Sequence, residues 1–393
     1  MKKINQRNKI SKGWQKVKLR EVVEINPSIR LKRERSYPYL DMADVQPSSI
    51  IREIRKRKVF KGGGARFEKG DTLFARITPC LEHKKITWIK SINGPGFGST
   101  EFFVLRGKNK ITDNKFVYYL SLSHKVRKMA EQSMIGASGR QRVERAAFEN
   151  IEVKLPEDIN EQKRIANILS AFDEKIELNN KINQTLEEMA QAIFKEWILK
   201  NQKSPKDPPP KFGGGPTGQA KIKNQKLGDL ADIKYGQGPA SSKLKKSGYP
   251  VYGANGVIGY FDSYNFSDRQ IIVGCRGVVG NVTLTLPQCV VTHNSLVITP
   301  RSNRKIFFYY LLKNQNLDAV VGGSAQPQIT IRDLEQFELP MPEEELQNDF
   351  ESVVGSLEQK RLMNFYENQK LAALRDLLLP KLMSGEILVK SEE

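Results

Sequence analysis

The sequence predicts an α/β (α+β) fold: two mixed α/β domains joined by two long antiparallel coiled-coil helices, as an internal pseudo-two-fold repeat. Three observations predict it. Charge alternates in blocks along the chain, short sequence words recur once at an offset near 185 residues, and each copy ends in an apolar stripe of helical period. The 393 residues are enough for two or three domains. At 39% hydrophobic, 8% aromatic and 27% charged, the composition is that of a globular chain, not a disordered or fibrous one.

The charge is unevenly placed. Residues 1–155 hold 35 Lys and Arg against 15 Asp and Glu, a net of +20. Residues 156–200 carry −3, residues 201–340 carry +8 and residues 341–393 carry −5, so the chain total returns to +20. Two basic blocks therefore alternate with two acidic ones. Basic blocks of this size point to a polyanion, and nucleic acid is the first candidate. No run approaches 18 apolar residues, so no membrane span is expected. The basic stretch Met1 to Lys18 has no apolar segment behind it, unlike a signal peptide. Three cysteines (Cys80, Cys275 and Cys289) make no disulfide framework and fit a reducing cytoplasm.

Taken in order, residues 1–155 form the first mixed block. Thr72-Leu73-Phe74-Ala75 and Phe102-Phe103-Val104-Leu105 read as strands, Phe116 to Ala130 as a helix, and the charge run Arg52 to Lys61 as a strand or loop surface. Residues 156–200 form the first long helix, with apolar residues at Ile165, Ile168, Phe172, Ile182, Leu186, Met189 and Ile193. Residues 201–222, with Asp207-Pro208-Pro209-Pro210 and Gly213-Gly214-Gly215-Pro216, read as a linker. Residues 223–340 repeat the mixed block, with strands at Ile271-Ile272-Val273 and Ser295-Leu296-Val297-Ile298 and a helix from Ile306 to Leu317. Residues 341–393 repeat the helix, with its stripe at Phe350, Val353, Leu357, Leu371, Leu374 and Leu378.

The words that recur are specific. Phe116-Val117-Tyr118-Tyr119-Leu120 returns as Phe307-Phe308-Tyr309-Tyr310-Leu311, and Lys175 and Asn179 return in the stripe as Lys360 and Asn364. A polar residue in an apolar seam weakens a coil but fixes its register. Helices of some 35 residues would each be on the order of 50 Å long.

Enzyme signatures are weak. Asp207-Pro208-Pro209-Pro210 lacks the aromatic residue of an amino-methyltransferase motif. No phosphate-binding loop is present, and Cys80 and His83 have no second pair for zinc. Asp71, Glu82 and Lys84 have the spacing of a metal-dependent nuclease, but the second copy has no counterpart. A stand-alone nuclease and a coiled-coil architectural DNA binder are therefore the alternatives to a recognition protein.

Binding chemistry is better represented. Arginine reads guanine with two donors, and glutamine or asparagine reads adenine. Gly139 to Arg145 carries Arg140, Arg142 and Arg145, while its counterpart carries Gln326 and Gln328. Arg76, Lys84, Lys85 and Arg276 are candidate phosphate contacts, and Ser99, Asn281, His293 and Asn294 complete the candidate DNA-binding set. The candidate helix-pair contacts are Ile165, Ile168, Phe172, Asn179, Leu186, Met189, Phe350, Val353, Leu357, Asn364, Leu371 and Leu374.

Nearly the whole chain resembles the DNA-specificity subunits of Type I restriction–modification systems. The resemblance rests on the duplicated plan and on four local features. They are Leu155-Pro156 with Glu161-Gln162-Lys163-Arg164-Ile165-Ala166, the run Ala192 to Trp197, the opening Gly13 to Leu19 and the closing Leu379 to Ile387. The second helix begins differently, at Glu343-Glu344-Glu345-Leu346-Gln347. The resemblance implies a non-catalytic subunit that reads a bipartite double-stranded DNA target through two target-recognition domains, with the helix pair as spacer. It implies two methyltransferase subunits and restriction/translocase subunits as partners, with S-adenosylmethionine, ATP and Mg used only by those partners.

Overall fold

A computed structural model describes residues 13–137, 139–199, 222–323 and 326–389. The expected linker therefore lies, but for Ile222, outside the described residues. The chain divides into two compact units, Met1–Glu177 with Asn368–Glu393, and Leu178–Glu367.

In the first unit, a five-stranded sheet runs in the order Val23–Ile25, Phe102–Gly107, Thr72–Ala75, Ile86–Ile89, Ser49–Ile51. Its pairings are antiparallel except the last, Ser49–Ile51 on Ile86–Ile89. Successive side chains on a strand point to opposite faces. Leu73, Ala75, Phe102 and Val104 therefore enter one core, with Leu40 and Phe67 of a smaller four-stranded sheet. Phe74, Phe103 and Leu105 enter the other, with Phe116, Leu120 and Phe148. Burial on both faces is why these strands read as unbroken apolar runs. Trp14–Lys18 pairs antiparallel with Glu152–Pro156, bringing the two ends of the block together.

The second unit has the same plan. Ala231–Tyr235, Ser295–Pro300, Ile271–Gly274 and Val282–Leu284 form an antiparallel sheet. Ile271, Val273, Leu296 and Ile298 face the main core, while Ile272 and Val297 face Tyr252, Cys289 and Val291 on the other side. Lys223–Lys226 and Glu338–Met341 close this block as the equivalent pair closes the first.

The expected helix over Phe116 to Ala130 is two helices, Asn114–Leu122 and His124–Gln132. Ser123 leaves helical geometry, and its hydroxyl accepts from the Val126 amide, so it caps the second helix. The stretch expected as one helix over Ile306 to Leu317 is helical over Lys305–Lys313, then turns through a 3₁₀ segment, Leu317–Val320.

The long helices are Ile159–Phe194 and Glu344–Ser384. Within the second unit they run antiparallel, since Asn179 meets Glu367, Asn183 meets Asn364, and Phe194 packs on Phe350. In the first unit Asp173 meets Arg375, and Ile165 shares a core with Leu382. Ile165 and Phe350 are fully buried, Asn179 and Asn364 nearly so, and Phe172, Leu186, Leu357 and Leu371 are half-buried.

Four stripe residues depart from expectation. Ile168, Met189, Val353 and Leu374 are between 37% and 48% exposed. Leu169, Ala190 and Val354, one residue further on, are buried in the first three places. The cause is the width of the buried face. Gln162, Ile165, Ala166, Leu169 and Ser170 are all buried, the spacing of a helix packed on a domain core with a 3.6-residue period, not a narrow seam. Near Leu374 the covered side passes instead to Leu378, Leu379, Leu382 and Met383.

Asp71 is also assigned by the fold. It is fully buried, and Arg106 grips it with Nε to Oδ1 at 2.7 Å and Nη2 to Oδ2 at 2.8 Å. Burial pushes its carboxyl above the usual value against the pull of Arg106. Glu82 and Lys84 are exposed, so the nuclease spacing does not form a buried carboxylate pair. Asp71→Ala is expected to lower stability by about 2 kcal/mol in urea denaturation, because Arg106 loses its bidentate buried partner and keeps only Glu68, which pairs with it at 2.7 Å. Unchanged stability would mean that the pair is incidental to the fold.

Candidate nucleic-acid interface

Three loops meet at one end of the main sheet in the first unit. The chain leaving Thr72–Ala75 places the Arg76 amide on the Glu101 carbonyl at 2.9 Å. The Val143 amide returns to the Arg76 carbonyl at 2.8 Å, and the Thr78 amide donates to the Gln141 carbonyl at 3.0 Å. An isolated bridge joins Ile77 to Arg142. These bonds bring together Arg76, Ser99 and the hairpin that carries Arg140 and Arg142.

The candidates in this unit differ in how they are held. Arg140 is exposed. Arg142 donates to the Glu101 carboxylate, with Nη2 to Oε1 at 2.8 Å and Nε to both oxygens at 3.0 Å. Arg76 lies 4.8 Å over the Phe103 ring, and its Nε has no hydrogen-bond partner among the described residues. It lines a cleft of about 290 Å³ with Asn26, Arg66 and Thr100. The Ser99 hydroxyl accepts from the Glu101 amide. Lys84 is exposed at the turn.

Two candidates are engaged elsewhere. The Lys85 ammonium donates to the Met42 carbonyl at 2.7 Å, and Arg145 lies on the short helix Arg145–Glu149, paired with Glu149 at 2.7 Å.

The second unit builds the same junction. The Cys275 amide donates to the Asn294 carbonyl at 2.9 Å, the Ile329 amide to the Cys275 carbonyl at 3.1 Å, and Arg276 bridges Gln328. His293 and Gln326 are exposed, and Asn294 and Gln328 are half-buried. Gly323 turns the hairpin at φ +89°, where a Cβ would stand 2.5 Å from the Gln326 carbonyl. Asn281 lies to the side, its amide donating to the Ala254 carbonyl at 3.0 Å.

Sequence reading missed Glu101 as a partner of Arg142, because the two are 41 residues apart and only the ladder register joins them. Ala75 pairs with Phe102 and Gly274 with Ser295, so Glu101 corresponds to Asn294.

The helix surfaces carry a second set of missed residues. Tyr119 donates to Asp173 at 2.7 Å in the first unit, and Tyr310 donates to Glu358 at 2.9 Å in the second. The signal was present, since both tyrosines hold the fourth place of the repeated aromatic word and Asp173 and Glu358 are 185 residues apart.

A family model, Type I restriction modification DNA specificity domain, matches residues 11–188 and 220–360. The chain belongs to this family. It is similar to the Type I restriction enzyme HindI specificity subunit of Haemophilus influenzae, 24% identical over 445 residues, covering 90% of this chain and 95% of that one. It is 22% identical over 432 residues to the MjaIX specificity subunit of Methanocaldococcus jannaschii, covering 97% and 95%. The crystal structure of the S subunit of a Type-I restriction-modification system from M. genitalium covers 99% of each chain at 19% identity and a TM-score of 0.58, a shared fold. The two matched segments of the specificity-domain family each contain one of the loop junctions. None of the helices, among the described residues, is long and apolar enough to cross a membrane.

Glu187 gives a pH test of the helix surface in this specificity-domain protein. It takes Lys313 at 2.6 Å and also pairs with Arg361. Burial pushes its carboxyl up, but the two cations outweigh burial and hold it below the ordinary 4.5. The contact therefore contributes fully above that ordinary value and is lost as pH falls through the lower, folded-state one. Glu187→Gln is expected to lower the Tm near neutral pH and to shrink the drop in Tm on acidification. Parallel Tm curves for the two proteins would remove Glu187 from the acid response.

Proposed function

We propose that this chain is the specificity subunit of a Type I restriction–modification enzyme. Each unit reads one part of a bipartite duplex target, and the long helices act as spacer and docking platform. The observation that carries this is the recurrence of one loop junction, in the same ladder register, with different side chains. Arg140 and Arg142 stand in one hairpin and Gln326 and Gln328 in the other, so one frame presents two sets of readers. The basic blocks support the same reading, because phosphate neutralisation supplies most sequence-independent affinity.

On this reading the chain performs no chemistry itself. Two methyltransferase subunits engage the helices, and restriction/translocase subunits join that core, in the cytoplasm. S-adenosylmethionine, ATP and Mg belong to those partners. The ion pair of Asp71 with Arg106 speaks against a nuclease built on Asp71.

Co-production with the cognate methyltransferase, followed by mapping of methylated sites, tests the proposal. The expected result is a site in two parts separated by a gap of indifferent bases, and one continuous site would overturn it. Removing seven residues from both helices together is expected to change the gap and leave both parts intact. Arg140→Ala is expected to relax one part only, whereas equal weakening of both would make Arg140 a phosphate contact.

A further inference from the structure

The two loop junctions can be superposed residue by residue through their hydrogen bonds. Ala75 faces Phe102, and Gly274 faces Ser295. The next residues, Arg76 and Cys275, donate to the carbonyls of Glu101 and Asn294. The residues after those, Ile77 and Arg276, bridge Arg142 and Gln328. Glu101 and Arg142 in the first unit therefore occupy the places of Asn294 and Gln328 in the second. One unit sets a carboxylate and a guanidinium there, and the other sets two amides.

The charged pair has a definite geometry. Glu101 takes one side of the guanidinium, through Nε and Nη2. Nη1 comes no closer than 3.5 Å to the Arg140 carbonyl. Each terminal nitrogen thus keeps a donor on the edge away from the carboxylate. Two donors on that edge match the O6 and N7 acceptors of guanine. Arg142 is 44% exposed and Glu101 22%, so the pair sits at the surface of the junction. Exposed ion pairs contribute little to stability. Fixing a long side chain beforehand removes an ordering cost that binding would otherwise meet.

We propose that Glu101 is a positioning residue that presents Arg142 to a guanine, and that positions 101 and 142, with their counterparts 294 and 328, set the base preferred at one place in each half of the target. This rests on the reading that the loop junctions face DNA.

The test uses the full chain co-produced with its methyltransferase, with methylated sites mapped for wild type, Glu101→Gln, Arg142→Gln, Arg142→Lys and the double variant Glu101→Asn/Arg142→Gln. Arg142→Gln and the double variant are expected to lose about tenfold in preference for guanine at one position of one half-site. Arg142→Lys keeps the charge without the fork and is expected to lose the same preference while retaining salt-dependent DNA binding. Glu101→Gln is expected to weaken discrimination at that same position, with the melting temperature and the other half-site unchanged. Variants that read the wild-type site unchanged, or that weaken every position evenly, would overturn the pairing. A wild-type site without two parts would overturn the reading on which it rests.

Discussion

Each unit is fastened to its long helices by a tyrosine hydroxyl donating to a carboxylate that is almost wholly removed from water. Tyr119 donates to Asp173, whose other oxygen takes Arg375. Tyr310 donates to Glu358, which also holds Arg269 and Arg361. A hydrogen bond to a charged group contributes about 1.5–3 kcal/mol, and losing it leaves a buried charge short of partners. The contact is also directional. It fixes the rotation of the helix against the domain, which apolar packing alone leaves free to slip. Burial pushes the Tyr119 and Tyr310 hydroxyls above their usual pKa, so both remain donors at any physiological pH.

With that anchor in place, the sheets have little freedom. Both faces of the strands around Phe74 and Phe103, and around Ile272 and Val297, are covered. A side chain placed on these strands must satisfy a core, so variation is confined to the ends. The junction loops lie at such an end, where backbone bonds tie Arg76, Arg140 and Gln328 while the side chains of Arg140, His293 and Gln326 stay exposed. A rigid frame with variable tips suits recognition, since it separates the requirement to fold from the requirement to discriminate.

Much of this was legible in the sequence. The apolar runs at Thr72 and Ser295 mark real strands, and the repeat marks the duplication, because local burial leaves a local pattern. The smaller sheet of the first unit was not legible. Gly96–Gly98 and Ala65–Phe67 are too short to carry a period, and only the core around Phe67 makes them strands. The exposed positions of Ile168 and Met189 were misread because the buried face follows Leu169 and Ala190, one residue round the helix, where a domain core and not only the partner helix covers it. The Glu101–Arg142 contact was hidden for another reason. Register between distant segments is decided by every pair on the ladder at once, and no single residue announces it.

The closing strand pairs have a consequence of another kind. Trp14–Lys18 lies against Glu152–Pro156, and Lys223–Lys226 against Glu338–Met341, so each block begins and ends at one place. Topologically, each block is a loop of chain inserted through a narrow neck. What lies between the neck strands can be replaced by another sequence that returns to the same point and keeps the tyrosine and apolar contacts to the long helices, while the neck hydrogen bonds, being backbone to backbone, do not depend on what was exchanged. A whole block can therefore be exchanged as one cassette, provided that the incoming sequence rebuilds its contacts with the helices.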